Sequence, residues 1–90
     1  MDDDRHMREF ERIVEFSYQK KTKHFVVRFL EGQTYKLSLE DLPPKLLTKQ
    51  PEWQEASLSD DRTSIQATCS DGEIKTIPYH IIHANGTLVQ

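Results

Sequence analysis

Alternating apolar and polar residues predict a β-hairpin in the first half of the chain. Large apolar side chains occupy every second position from Phe25 to Phe29, and Gly32 follows shortly after them. Glycine adopts positive φ without a steric penalty, so the pattern favours a three-residue turn over 30–32. A two-residue turn would shift the register by one position and set Lys36 opposite an apolar residue. The pairs that the longer turn predicts are Phe29–Gln33, Val27–Tyr35 and Phe25–Leu37.

The same pattern returns about 40 residues later in the chain. Ile65, Ala67 and Cys69 alternate along another predicted strand, and Asp71-Gly72 is a strong hairpin-turn signal. Each half then holds a strand, a hairpin and a short helix, which is too little to bury an apolar face alone. We therefore expect the two halves to pack or pair with each other.

The remaining segments predict short elements around these hairpins. A strand is expected over 12–18, after a turn or half-helix over 7–11. One or two helical turns are expected within 38–47, and a short helix is expected over 79–86, where Asn85-Gly86 ends it. The predicted fold class is α+β: one small domain of antiparallel hairpins, with about six strands in two pseudo-repeated halves and two or three short helices.

The composition indicates a single domain with a small core. Of the 90 residues, 36% are apolar and 30% are charged, whereas typical soluble domains have roughly 45–50% and about 25%. A homodimer would enlarge such a core, and the sequence leaves that arrangement open. Residues 1–6 hold no apolar anchor and predict a disordered acidic N-terminal tail, which leaves 7–90 as the domain.

Charge and cysteine content disfavour several classes of protein. The net charge is −3, and Asp2, Asp3 and Asp4 contribute to it, whereas a nucleic-acid binder usually presents a strongly basic face. The single cysteine, Cys69, excludes an internal disulfide and a cysteine-based zinc cluster, and it suits a reducing compartment. No apolar run approaches the roughly 18 residues of a membrane span, and the acidic start lacks the apolar core of a secretory signal. The cytoplasm is the expected compartment, without membrane attachment.

The string FVVRFLEGQTYKLSLEDL resembles the opening of a family of small prokaryotic domains of unknown function. Members of that family begin with a strand, an F-x-D/E-G hairpin and a second strand that ends in a D-L helix start. The residues that carry the match are Phe29, Glu31, Gly32, Asp41 and Leu42. The later SDGEIKTIP resembles the second half of that family, so the likeness spans most of 12–83 and implies a fold without an activity.

The first half also resembles the small β-rich domain at the front of gamma-butyrobetaine hydroxylase. That domain binds zinc through cysteines, and this chain has only Cys69. The resemblance therefore implies a β-rich fold, and the metal role does not transfer to this chain.

Two histidines are the first candidate site. His80 and His83 lie three residues apart, so a helical turn would place them on one face, where paired imidazoles can bind a metal ion. Nothing in the sequence fixes a third ligand, and two surface or half-buried histidines on a short helix are the simpler interpretation. The alternation around Cys69 favours a small core residue over a nucleophile. We find no catalytic constellation and expect neither an enzyme nor a cofactor.

A basic cluster and two aromatic residues are the remaining candidates. The cluster consists of Lys20, Lys21, Lys23 and Arg28, with Tyr18 and His24 close by. Such residues are suited to a phosphate backbone, but lysines in a hairpin loop also protect an edge strand from aggregation. Trp53 and Tyr79 are of the kind enriched at protein interfaces, although a core or core-rim position is favoured for Trp53.

These features together favour a non-catalytic protein-binding or adaptor module with an unknown protein partner. It would hold that partner by a sheet edge or an aromatic surface. The alternatives are a nucleic-acid-associated accessory protein that uses Lys20–Arg28 and a metal-binding protein that uses His80 and His83. Nucleic acid is the less favoured partner because the chain is acidic overall.

Overall fold

A computed structural model describes residues 11–89, which form two antiparallel sheets. In chain order the strands are β1 (Ile13–Gln19), β2 (His24–Phe29), β3 (Thr34–Ser38), β4 (Ser57–Leu58), β5 (Ser64–Thr68), β6 (Ile74–Pro78) and β7 (Thr87–Leu88). One sheet has the order β1-β2-β3-β7, and the other has the order β4-β5-β6. The tail expected over 1–6 and most of the turn expected over 7–11 lie outside the described residues.

Short helical elements connect these strands. An α-helix, α1 (Tyr79–Asn85), precedes β7. Three 3-10 turns cover Leu39–Asp41, Pro44–Leu46 and Trp53–Glu55. Among the described residues there are thus one α-helix and seven strands.

The prediction of a small β-rich α+β fold is confirmed, but the predicted counts are wrong. Seven strands replace the expected six or so, and a single α-helix replaces the expected two or three helices. Pro43 and Pro44 explain the missing helix, since two successive residues without an N–H donor stop an α-helix from propagating. The chain forms separate 3-10 turns there, and the Ser38 side chain caps neither of them.

The β2–β3 hairpin has the register that its sequence predicts. The pairs observed are Phe25–Leu37 and Val27–Tyr35. The Phe29 N–H donates to the Gln33 carbonyl oxygen at 2.9 Å. Gly32 closes the turn with a φ of +107°, a conformation that residues with a Cβ rarely adopt. The glycine therefore sets which side chains of both strands face the core.

The β5–β6 hairpin repeats this geometry at an offset of 40 residues. Its pairs are Ile65–Ile77 and Ala67–Lys75, each residue of which stands 40 positions after its counterpart in β2–β3. Gly72 closes its turn with a φ of +95°. The outer strands keep the same offset, because the pairs Tyr18–Phe25 and Leu58–Ile65 also correspond. A three-stranded meander is thus built twice.

Contacts between the two meanders complete the core. β7 follows the second meander but pairs with β3 of the first. The Ile13 N–H donates to the Arg62 carbonyl oxygen at 2.7 Å, which ties the start of β1 to the β4–β5 turn. The side chains with no exposed surface are Ile13, Phe25, Val27, Phe29, Leu37, Ile65, Ile77 and Ile82. These come from both halves, so neither meander encloses the core alone.

Replacing Gly32 with alanine tests the role of the turn. No atom lies within 4 Å of an added Cβ, so the cost is conformational, and we expect the free energy of unfolding to fall by roughly 1–2 kcal/mol. Urea denaturation measures this change. The matched control is Glu31→Ala, at an exposed neighbouring position, with an expected effect within about 0.5 kcal/mol. Equal effects of the two substitutions would contradict the proposed role.

Candidate functional site

Two adjoining cavities form a groove beneath the tip of the β1–β2 hairpin, here named the hairpin groove. Their volumes are about 230 Å³ and 450 Å³, and they share Lys23, Leu39 and Gln50. The apolar lining consists of Tyr18, Leu39, Leu47, Pro51 and Trp53. The charged lining consists of Lys20, Lys23, Glu40 and Glu52. The groove is therefore an apolar trough with charges of both signs around it.

The hairpin tip and the first 3-10 turn hold one wall of the groove together. Residues 20–23 connect β1 and β2, and the Lys23 N–H donates to the Gln19 carbonyl oxygen at 2.7 Å. The Leu39 N–H then donates to the Lys23 carbonyl oxygen at 3.0 Å. Lys23 has a φ of +57°, which turns the chain sharply before β2. Backbone hydrogen bonds thus fix the positions of Lys23 and Leu39 relative to each other.

Trp53 forms the floor of the groove and belongs mainly to the core. Its side chain is 3% exposed, and its ring packs edge-on against Phe25 with centroids 5.4 Å apart. Its indole Nε1–H donates to Gln50 Oε1 at 2.9 Å, and Gln50 Nε2 donates to the Leu46 carbonyl oxygen at 3.3 Å. These contacts hold the indole in one orientation beneath the opening.

Tyr18 lies at the other side of the floor, near the end of β1. Its ring packs against Phe25 with centroids 4.9 Å apart. Burial raises the pKa of the Tyr18 phenol, and the nearby Glu52 carboxylate raises it further. Tyr18 therefore stays neutral and keeps its O–H as a donor beside the opening.

The structure separates the predicted basic cluster into two parts. Lys20 and Lys23 line the hairpin groove, and Lys21 is exposed at the hairpin tip. None of the three lysines forms an ion pair with another described residue. Arg28 lies near the far end of β2, where its Nε donates to Glu15 Oε2 at 3.0 Å. The lysines are thus available at the groove, whereas Arg28 is paired elsewhere.

The two candidate histidines have different surroundings on α1. His83 is half-buried, and its ring lies against Phe29 and Tyr35 with centroids 4.5 Å and 4.7 Å apart. His80 is exposed and lines a separate cavity next to Lys45. Within residues 11–89, no group of three His, Cys, Asp or Glu side chains is arranged to hold a metal ion.

The last candidates, Tyr79 and Cys69, also lie outside the groove lining. Tyr79 is half-buried, and its hydroxyl donates to Glu11 Oε2 at 3.2 Å. Cys69 is buried on the same face as Ile65 and Ala67. Neither residue therefore contributes to the hairpin groove.

Sequence reasoning missed most of the groove lining. Leu39, Gln50, Pro51 and Glu52 were not candidates, because they gain their role only when the 39–52 segment passes beneath the hairpin tip. Leu47 is 37% exposed, although its neighbour Leu46 is buried. The available signal was the pair Pro43-Pro44 at the start of this segment, which prevents an α-helix.

Comparisons with protein-family models, with curated proteins and with solved structures gave no match. In the described part of the chain, no helix combines the length and the apolar character needed to cross a membrane. The geometry of the described residues is therefore the basis for any proposal about function.

Replacing Glu52 with glutamine tests the electrostatics of the groove floor. The substitution removes the negative charge that raises the Tyr18 pKa, so this pKa should fall but stay above its usual value of 10.0, because burial is the larger cause. A titration of the Tyr18 ring resonances by NMR measures the change. Glu55→Gln, in the same 3-10 region and exposed, is the control and should leave the Tyr18 pKa unchanged. An unchanged pKa in Glu52→Gln would contradict the assignment.

Proposed function

We propose that the chain is a non-catalytic protein-binding module that holds a segment of a partner protein in the hairpin groove. The observation that carries the proposal is the exposure of Leu47 beside an aromatic floor formed by Tyr18 and Trp53. Aromatic residues that are surrounded by polar and charged groups are typical of the centres of protein interfaces.

The rigidity of the floor supports binding further. Phe25 and Gln50 hold the indole of Trp53, and Phe25 also packs against Tyr18. Side chains that are already ordered lose little conformational entropy when a partner binds. Lys20 and Lys23 would then orient the partner through its charges and speed its association.

We also infer that the groove arises from a difference between two structurally equivalent halves. In the first half β1 begins at Ile13, whereas 40 residues later Trp53 begins a 3-10 turn and β4 starts only at Ser57. A full-length counterpart of β1 would continue through the 53–56 segment. The shortened strand supports the view that this half has been adapted to form a binding surface.

A charge placed in the groove should abolish partner binding. We expect Leu47→Glu to weaken the capture of a specific partner from native extract by at least roughly tenfold, because the carboxylate would have to be desolvated against apolar side chains. Leu30→Glu is the matched control, since Leu30 is 47% exposed in the β2–β3 turn, outside the groove. Quantitative mass spectrometry of the captured proteins compares the three forms. If Leu47→Glu and Leu30→Glu both lose the partner to the same extent, or if neither loses it, the partner does not bind in the hairpin groove.

A second candidate function is association with nucleic acid. The lysines of the hairpin tip favour it, because they form no ion pair with another described residue. Lys20 and Lys23 line the groove together with Tyr18, and Lys21 is exposed at the same tip. Single-stranded nucleic acids bind to such combinations of cations and aromatic rings. The net charge of −3 and the pairing of Arg28 with Glu15 weigh against this function.

Salt dependence separates the two functions. If the chain binds nucleic acid, Lys20→Glu/Lys23→Glu should lose retention on a single-stranded DNA column at low salt, because contacts between lysine and phosphate release counterions. Lys36→Glu, at an exposed position on β3, makes the same charge change away from the tip and should retain more binding. Equal retention of both variants would exclude the tip as a nucleic-acid site, whatever the result for Leu47→Glu.

A further inference from the structure

The outer edge of the second sheet presents backbone hydrogen-bonding groups of β6. Within the described residues, β6 pairs only with β5. The Cys69 N–H donates to the Glu73 carbonyl oxygen at 2.7 Å. Because bonded pairs in an antiparallel ladder recur at every second residue, the N–H and C=O groups of Ile74 and Thr76 point away from β5. In the described part of the chain no backbone group bonds to them on that side.

The equivalent edge in the first half is occupied by a strand. β3 is the counterpart of β6 at an offset of 40 residues, and β7 lies along it in antiparallel orientation. The contacts are the pairs Tyr35–Leu88 and Lys36–Thr87 and a hydrogen bond of 2.9 Å from the Val89 N–H to the Thr34 carbonyl oxygen. Ile74 and Thr76 are the counterparts of Thr34 and Lys36. The fold thus contains its own example of how such an edge binds an extended segment.

The surface next to β6 has room for such a segment. Ile74 is 60% exposed at the start of the strand. A cavity of about 340 Å³ lies farther along, between Thr76 on one side and Pro43 and Leu46 on the other. Apolar side chains of an added strand would bury the exposed part of Ile74.

The charges along this edge favour an acidic residue in the added strand. Lys75 is 7% exposed, its Nζ donates to the Lys45 carbonyl oxygen at 3.0 Å, and it lies 3.6 Å from the Glu73 carboxylate. Lys49 pairs with Asp71 and with the same Glu73 carboxylate. Lys45 lines the cavity next to Thr76, so three lysines and two acidic residues lie along this edge, and its net charge is positive. A carboxylate directly opposite Lys75 would neutralise it, because cross-strand pairs of opposite charge are stabilising.

A second copy of this chain is a poorer occupant of the edge. Two copies of β6 that pair around a two-fold axis through Lys75 would set this lysine opposite itself. Like charges at directly opposed positions destabilise a strand pair, and inward-pointing lysines are a common protection against edge-to-edge association. The edge therefore discriminates against β6 of another copy.

We propose that the open edge of β6 binds an extended segment of a partner polypeptide as an added antiparallel strand. The segment carries an acidic residue opposite Lys75. The residues before and after it are apolar and lie opposite Ile74 and Thr76. Main-chain hydrogen bonds supply affinity in this mode, and the alternating side chains supply selectivity. Ile74 and Thr76 do not line the hairpin groove, so this proposal and the proposed function can fail independently.

A peptide titration tests the proposal directly. The probe is the peptide acetyl-Thr-Val-Glu-Val-Thr-amide, followed by proton–nitrogen correlation NMR of the full chain. We expect shifts at the amides of Ile74 and Thr76, and hydrogen exchange of both should slow roughly tenfold when the peptide is at about ten times its dissociation constant. The same peptide with lysine in place of glutamate should bind more weakly.

Two variants and a control complete the test. Thr76→Pro removes the N–H that points away from β5 and should abolish binding, while the β5–β6 hydrogen bonds remain. Ile74→Lys changes only an exposed side chain, so it tests the edge even if the proline variant fails to fold. Leu30→Lys is the control at an exposed position of the other hairpin and should bind the peptide as the unmodified chain does.

Three outcomes would overturn the proposal. The first is the absence of shifts at Ile74 and Thr76 at millimolar peptide. The second is unchanged binding by the folded Ile74→Lys variant. The third is a dimer in sedimentation analysis that protects these two amides without peptide, which would make a second copy the occupant.

Discussion

The positive φ of Gly32 and Gly72 is the constraint on which the rest of the structure depends. Each glycine closes a three-residue turn, and each turn fixes the register of the two strands that it joins. A one-residue slip would exchange the buried and exposed faces of the whole strand. In this register Phe25 lies opposite Leu37 in the core, and its ring packs against Trp53 and Tyr18. Phe25 therefore links the core to the floor of the hairpin groove.

The two meanders stabilise each other because neither has enough apolar surface alone. Side chains of both sheets meet in a common core, and the chain contains only 36% apolar residues. Two backbone links also join the halves. β7 pairs with β3, and the Ile13 N–H donates to the Arg62 carbonyl oxygen. Two surfaces follow from the places where the halves differ. One is the hairpin groove next to the shortened β4, and the other is the edge of β6, which no strand within residues 11–89 covers as β7 covers β3.

Local patterns were sufficient to predict the hairpins, because alternation and a glycine in the turn are properties of neighbouring residues. The Val27–Tyr35 pair and the offset between the halves were therefore accessible from the sequence. The 38–47 region was predicted less well, since Pro43 and Pro44 favour separate 3-10 turns over a continuous helix. The groove was not predictable, because it joins segments that are distant in the chain. Histidines at helical spacing likewise gave no indication that the His83 ring would pack against Phe29 and Tyr35.

The pairing of β7 with β3 also has a consequence for how the chain is made. β3 ends at Ser38, and its neighbour in the sheet ends at Leu88, about 50 residues later. At a synthesis rate of about 5–20 residues per second, the ribosome needs several seconds to produce this missing strand. During that interval the nascent first meander exposes the edge of β3 and half of a core. A chaperone that binds unpaired strand edges would find its substrate at this stage, before the finished molecule covers that edge with its own last strand.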